Sequence, residues 1–497
     1  MCLGLSRGNI HLRTAIGALP GAEHMASLNQ AWNIATGALA ADQAAIAVVA
    51  SNIANANTPG YTTEVANWGS ADTVTVGGQS VAGGVTLQGI ASQRDRVLNQ
   101  RIDQQTQDEA AASAQLAALN DLQSIFSGAI SATGSDTSSG VADIGQQMTA
   151  FFQSFSSLAA DPSNASLRTG VLSAAQSLAA TFNQVSATLE QQRSGVDATI
   201  ASAADQVNSL TSDIASLNAK ISASSPAGDA GTLEDQRQYD LQQLSQLVGI
   251  HQITNDNNSL TITTVSGAVL VAGGQSVDLE TQSSGGVTHL MLGGVDQTSA
   301  LTNGGGQIGG ALEARDVDIP NAMTSVDQLA WGVGTAVNMQ QASGTNVDGN
   351  SGAALFALGS SVGGAADAIS VALTDPDGVA ASSSGGGAQD GSNATALAAL
   401  ASAAIVGGQT PTASYAALVG SIGAKVSDAT TTQASQSASL TQLQSQQSAL
   451  SSVDMNDQAT LLQTYEQSYQ AASKVFTILN SVMSSAINLG TETAVSE

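Results

Sequence analysis

Cysteine occurs once in 497 residues, as Cys2, so no disulfide framework or thiolate metal site can be built. Aromatic residues make up 3% and charged residues 10%, with 12 basic against 39 acidic side chains and a net charge of −27. A chain this short of cations repels phosphate and anionic lipid, so neither nucleic acid nor a membrane is an expected partner. No continuous apolar run reaches the roughly 18 residues of a bilayer span. The histidines (His11, His24, His251, His289) are scattered without ligand spacing, and no nucleophile or paired-carboxylate motif stands out. The expectation is a protein without catalytic activity, metal or cofactor. The first 24 residues carry Arg7 and Arg13 but lack the apolar core of about 7–15 residues that a secretory signal needs. Met25 directly precedes the first patterned helix. Translation is expected to start there, with 1–24 a disordered leader or a mis-assigned start.

What the chain has in quantity is Ala, Ser, Gly, Gln, Thr and Asn, a composition for long helices with small-residue seams. Leu28, Trp32, Ala35, Leu39, Asp42, Ile46, Val49 and Ile53 fall at alternating steps of four and three. This is a heptad stripe that asks for a partner helix, broken only by Asp42. At the other end, Leu462, Tyr465, Tyr469, Ala472, Phe476, Leu479 and Met483 form a second stripe. Leu440, Leu443, Gln447 and Leu450 run in a different phase, and "SSVDMND" (451–457) lies between as a hinge. The two ends are expected to meet as a coiled coil.

The expected fold is mainly α with β insertions. A core helix over 25–60 pairs with 451–490. Residues 61–249 hold short hairpins and a long-helix domain, with helices over 94–130, 165–223 and 234–250. Residues 250–303, rich in Val, Ile and Thr and punctuated by Gly-Gly and Asn-Asp-Asn-Asn, form an inserted antiparallel β domain. The helical domain continues over 304–450, with helices at 310–343 and 394–450 and a Ser/Gly loop at 382–392. Residues 451–497 are the C-terminal helix and tail.

Two glycine-rich stretches tempt a chemical reading. Gly304, Gly306 and Gly309 satisfy G-x-G-x-x-G, but no βα alternation flanks them as a dinucleotide site requires. "NVDGNSG" (346–352) lacks the acidic ligands and closing Glu of a calcium loop and reads as a turn. The stretch "SNIANANTPGYTT" (51–63) is more unusual. Asn52 and Asn55 share a helix face, where an amide can set register. Asn57 tolerates left-handed geometry and is expected to help end the helix. Pro59-Gly60 suits the centre of a type II turn leading to Tyr61.

Here the chain resembles the bacterial flagellar axial proteins: the rod, hook and hook-associated proteins. "SNIANANTPGY" after a heptad helix is similar to their N-terminal signature, and the Thr58-Pro59-Gly60-Tyr61 ending is most similar to the hook-associated members. "EDQRQYDLQQLSQLVGI" (234–250), "GGQIGGALEARD" (305–316), "DGSNATALAAL" (390–400) and "LLQTYEQSYQAASKVF" (461–476) resemble further family segments, in the family's order. Before the last helix the family pattern carries a glycine and more acid than Ser452-Val453-Asp454-Met455-Asn456-Asp457-Gln458 does here.

The resemblance implies a structural subunit of the hook–filament junction, extracellular and exported by the flagellar type III route without a cleaved signal peptide. It implies assembly through the paired terminal helices. The implied partners are the hook subunit, a second junction protein, copies of the chain in a ring, and an export chaperone on the C-terminal helix. The assembly residues would be Leu28, Trp32, Leu39, Ile46, Val49, Ile53, Leu462, Tyr465, Tyr469, Phe476, Leu479 and Met483, with the signature turn at Asn52, Asn55, Asn57, Pro59, Gly60 and Tyr61. The alternatives are a hook or rod subunit or, in a different class, a secreted coiled-coil adhesin or effector.

Overall fold

The computed structural model describes residues 20–76, 79–127, 143–224 and 230–494. Most of the expected leader, 1–19, lies outside the described residues. The chain forms two compact units: Met1–Asp95, Ala223–Gln236 and Gln447–Glu497 make up unit 1, and Arg96–Ser222 with Arg237–Gln446 make up unit 2. The expected domain 61–249 is therefore divided, its hairpins belonging with the chain ends.

In unit 1, helix α1 (Pro20–Asn55) is followed by β1 (Glu64–Ser70), β2 (Val74–Val76), β3 (Gln79–Val81) and β4 (Val85–Ser92), which pair antiparallel as β1–β4 and β2–β3. The core helix expected over 25–60 thus starts earlier, at Pro20, and stops at Asn55. Within Ser27–Asn55 an 18-residue window reaches a mean hydropathy of 1.5, long and apolar enough by composition to cross a membrane. Alanines, rather than a continuous run of large apolar side chains, carry that average.

Unit 2 opens with α2 (Arg96–Ser127), α3 (Ile144–Ala160) and α4 (Ala165–Ser224), and α5 (Thr232–Leu247) follows. Helix α3 was not anticipated. Asp143 caps it, accepting from Gly145 N–H, and it buries Ile144, Met148, Phe151, Phe155 and Leu158 at helical spacing. Next come β5 (Ile250–Thr254), β6 (Leu260–Thr264), β7 (Val269–Ala272), β8 (Gln275–Ser276), β9 (Leu279–Ser284), β10 (Val287–Leu292) and β11 (Val295–Asp296). They make two antiparallel sheets, ordered β5-β6-β7-β8 and β11-β10-β9. This β region has no core of its own. Ile262, Leu270, Val271 and Leu290 pack in one cluster with Ile200, Val207 and Ile214 of α4 and Leu241 and Leu244 of α5.

The chain continues through α6 (Thr298–Thr302), α7 (Gly306–Glu313), a π-helical turn (Ala314–Asp318) and α8 (Ile319–Ser343). Short strands β12 (Gly344–Thr345), β13 (Phe356–Ala357), β14 (Ser370–Val371) and β15 (Ser382–Ser383) pair as β12–β15 and β13–β14 around α9 (Ala365–Ala368). Then come α10 (Ser392–Ala399) and α11 (Pro411–Ser451), so the helical stretch expected over 394–450 is broken before Pro411. Beyond the hinge, α12 (Met455–Ala494) returns to unit 1. The glycines of the G-x-G-x-x-G match have a packing cause. Gly306 sits at φ +71 and a Cβ there would lie 2.5 Å from Val248 N.

Candidate functional site

Within unit 1, α1 is flanked by α12 and by the β1–β4 hairpin. Its fully buried apolar side chains are small: Ala35, Ala41, Ala45, Val48 and Val49. Such residues let neighbouring backbones approach closely. The larger stripe residues Leu28, Trp32, Leu39, Ile46 and Ile53 are half-buried, while Val49 is buried. On α12, Leu462, Tyr465, Tyr469, Phe476, Leu479 and Met483 are all half-buried. Trp32 meets Phe476 with ring centroids 4.3 Å apart and planes tilted by 46°. Gln43 Nε2 donates to the Tyr469 hydroxyl at 3.2 Å. Asp42, the break in the α1 stripe, keeps one buried carboxylate oxygen with no hydrogen-bond partner among the described residues. Beside its stripe, α12 leaves Val475, Ile478 and Val482 exposed, Ile478 by 62%.

Asn52 is 1% exposed and uses all four of its amide's hydrogen-bonding positions. Its Nδ2 donates to Glu64 O at 2.9 Å and to Gln458 Oε1 of α12 at 3.0 Å. Its Oδ1 accepts from Glu64 N and from the Tyr61 hydroxyl, both at 2.9 Å. One side chain therefore ties together the end of α1, the start of β1, the turn and α12. This changes the expected role. Of the four bonds only the one to Gln458 is helix to helix. Asn55 instead closes its own helix, donating to Ser51 O at 3.1 Å. Asn57 is exposed and its φ is not positive, so the left-handed helix end expected there is absent; Asn258 is the single non-glycine with positive φ among the described residues. The redirection falls on Pro59-Gly60, with Gly60 at φ 79 and Tyr61 N–H donating to Thr58 O at 3.2 Å, as a type II turn requires. Burial raises the Tyr61 hydroxyl pKa, opposed by its hydrogen bond with Ser51.

Residues beyond the turn anchor the hairpin. Thr62 donates twice to Asp235, from N at 2.9 Å and from Oγ1 at 2.7 Å. Thr63 N donates to Ser451 O at 2.9 Å, where α11 ends. Arg94 is buried between Glu234 at 2.5 Å and Asp235 at 2.6 Å. The acidic pair of the "EDQR" segment is therefore the counterion of a cation some 140 residues earlier, a pairing that periodicity cannot signal. Asp454 caps α12 by accepting from Asn456 N at 2.8 Å. A cavity of about 220 Å³ lies among Val48, Thr63, Glu64, Asp454, Asp457 and Tyr465.

The Asn52 arrangement recurs in unit 2. Asn208 pairs with both N and O of Leu279, Asn218 with both of Leu260, and Asn338 with both of Phe356. In each case a helical amide serves one extended residue as a neighbouring strand would. Arg315, in the π-helical turn, bonds Asp197 at 2.6 Å and Thr288 O at 2.6 Å, seating β10 beside α4. Among the described residues no group of three or more His, Cys, Asp or Glu could hold a metal ion.

The chain is similar to known proteins along most of its length. Residues 135–356 match a family model for the helical domain of flagellar hook-associated protein FlgK, and residues 33–62 match one for flagella basal body rod protein. The second match covers the latter part of α1 and the signature turn. Flagellar hook-associated protein 1 of Escherichia coli K12 is 24% identical, the alignment covering 92% of this chain and 99% of that one. The Bacillus subtilis protein of the same name is 25% identical over 91% and 96%. The structure of the flagellar hook junction protein FlgK from Burkholderia pseudomallei superposes with a TM-score of 0.61 at 19% identity, covering 70% of this chain and all of that one.

Proposed function

With the chain belonging to the flagellar hook-associated protein family, we propose that it is a structural subunit of the bacterial flagellum, built into the junction between hook and filament through its terminal helices. The observation that carries this reading is the Asn52 centre, which joins the signature turn to α12 and so links the two chain ends. The exposed apolar row Val475, Ile478 and Val482 on α12 supports it, because an isolated chain leaves that row in water. The partners proposed are the hook subunit below, a second junction protein above, copies of the chain in a ring, and an export chaperone on α12. The chain is exported unfolded and without a cleaved signal peptide, and it performs no catalysis. Its assembly residues are those of the two stripes, Leu28 to Ile53 and Leu462 to Met483, with the turn from Asn52 to Tyr61.

Phe476→Asp tests the proposal against Phe476→Leu in cells lacking the native chain. An unpaired carboxylate against Trp32 is costly to bury, whereas leucine keeps the contact apolar. The Asp variant is expected to yield hooks without filaments and filament protein in the medium, while the Leu variant builds filaments. Full-length filaments with the Asp variant would refute assembly through the terminal helices.

A further inference from the structure

Unit 2 contains two buried apolar clusters that share no residue. One gathers α3, α4 as far as Leu189, α8 from Ala322 and α10. The other gathers α4 from Ile200, α5, strands β5, β6, β7, β9 and β10, and α7 as far as Leu312. On α4 the gap from Leu189 to Ile200 is about 16 Å. Ala314 and Ile319, buried in the matching gap between α7 and α8, belong to neither cluster. Polar side chains bridge these gaps. Gln192 of α4 donates to Ala118 O of α2 at 2.7 Å. Arg315 of the π-helical turn reaches Asp197 of α4 at 2.6 Å. Asp318 of the same turn accepts from Gln115 of α2 at 3.1 Å and pairs with Lys425 of α11 at 2.5 Å. A belt of ion pairs and amides therefore crosses the unit between its two clusters.

Interdigitated apolar side chains resist sliding, because a shift opens voids on one side and makes clashes on the other. A polar belt resists it only where one alignment satisfies its groups better than every other. This belt has an acceptor and a donor to spare: Gln192 Oε1 and Arg193 Nε are buried with no hydrogen-bond partner among the described residues. A displaced arrangement can form new bonds with them as old ones break. The helical elements are also softened at this level. The π-helical turn interrupts the run from α7 to α8, and helices kink at such turns. Gly195 of α4 lies within the gap, and a Cβ there would meet nothing within 4 Å. No packing contact requires that glycine, and it weakens the helix locally. We propose that unit 2 bends at this belt: the two clusters move as bodies about the π-helical turn, and Arg315 and Asp318 set the resting alignment. Such a joint lets unit 2 fit neighbours of different geometry, as the junction role demands; the joint itself does not rest on that role.

Distances between paired spin labels in the purified full-length chain, with Cys2→Ser, test this. Labels at Ser156→Cys of α3 and Gln246→Cys of α5 span the belt. Two reference pairs stay within one cluster each: Ser156→Cys with Gln328→Cys of α8, and Gln246→Cys with Ser209→Cys of α4. All four positions are exposed. The spanning distances should spread more widely than those of either reference pair. Arg315→Gln should widen the spanning distribution and leave both references unchanged. Asp197→Asn keeps its side chain's size and should do the same to a lesser degree, which preserves the test if Arg315→Gln does not fold. A spanning distribution as narrow as the references would overturn the proposal. So would variants that leave it unchanged or that widen all three pairs alike.

Discussion

The rings of Phe151, Phe155, Phe182 and Phe356 in unit 2 are no more than 1% exposed, whereas Trp32 and Phe476 of unit 1 touch at 4.3 Å and both keep part of their surface in water. Unit 2 closes its core with residues of the same chain: α3, α4, α8 and the short strands all contribute to one cluster. The α1–α12 layer buries alanine and valine on one helix and, among the described residues, fully buries no large apolar side chain on the other. Hydrophobic stabilisation scales with the apolar area removed from water. The two layers therefore differ in how much of it the single chain obtains. Unit 2 holds its share outright; α12 leaves part of its share to whatever covers Val475 and Ile478.

Replacements in the two layers should reproduce that contrast. Phe155→Ala opens a cavity in a closed core and should cost about 3–5 kcal/mol in denaturant unfolding of the purified chain. Phe476→Ala should cost less, about 1.5–3 kcal/mol, since part of the side chain is already in water. Equal losses would erase the distinction. Arg94→Leu comes next. It strands Glu234 and Asp235 in a buried place and should cost about 3 kcal/mol, showing that unit 1 is held by this polar centre more than by its helix seam. Asn52→Leu should cost about 1–3 kcal/mol, because Glu64 N and O, Tyr61 and Gln458 lose their partner together. A stabilised Asn52→Leu chain would mean that the amide only sets register.

The smallest effect concerns pH. Asp103 of α2 is buried and accepts from Gln238 at 3.0 Å and Gln252 at 2.8 Å, with no cation paired to it among the described residues. Burial raises its pKa from 3.8 to about 6, opposed by the two amides. A folded-state pKa above the unfolded one gives stability that is full below about pH 4 and is lost as pH rises through 6. Unit 2 should therefore lose on the order of 1 kcal/mol between pH 5 and 7. Asp240, raised to about 6 by burial and by Asp213, acts in the same direction. Asp103→Asn should flatten the slope measured by thermal unfolding, and an unchanged slope would remove Asp103 as its source.

What could be read from the sequence was periodic or local. The heptad steps from Leu28 and from Leu462, the hairpins between 62 and 92, the long α4 and the break at 451–455 all follow from spacing and from turn residues. Helix α3 is equally periodic, with Ile144, Met148, Phe151, Phe155 and Leu158 on one face, but its signal is short and adjoins a Ser/Gly-rich stretch. The rest had no local signal. Arg94 finds its acids through the fold, and Asn52 pairs with Gln458 across most of the chain. Asn208 and Asn218 read as ordinary polar helix positions until strands are laid against them. The three asparagines of the signature look alike in sequence, yet Asn52 joins four groups, Asn55 closes its own helix and Asn57 stands exposed. The separation of the β region from the helices, drawn from composition, failed because sheets this small need α4 and α5 to complete a core.

The contrast between the layers is tested most directly by amide hydrogen exchange on the dilute full-length chain, followed by the same measurement on assembled flagella. Incomplete burial predicts that α1 and α12 exchange much faster than α3, α4 and α8 in the free chain, and that they become protected on assembly while the unit 2 helices stay as they were. Terminal helices as protected as α3 in the free chain would contradict the claim that they await a partner to complete them.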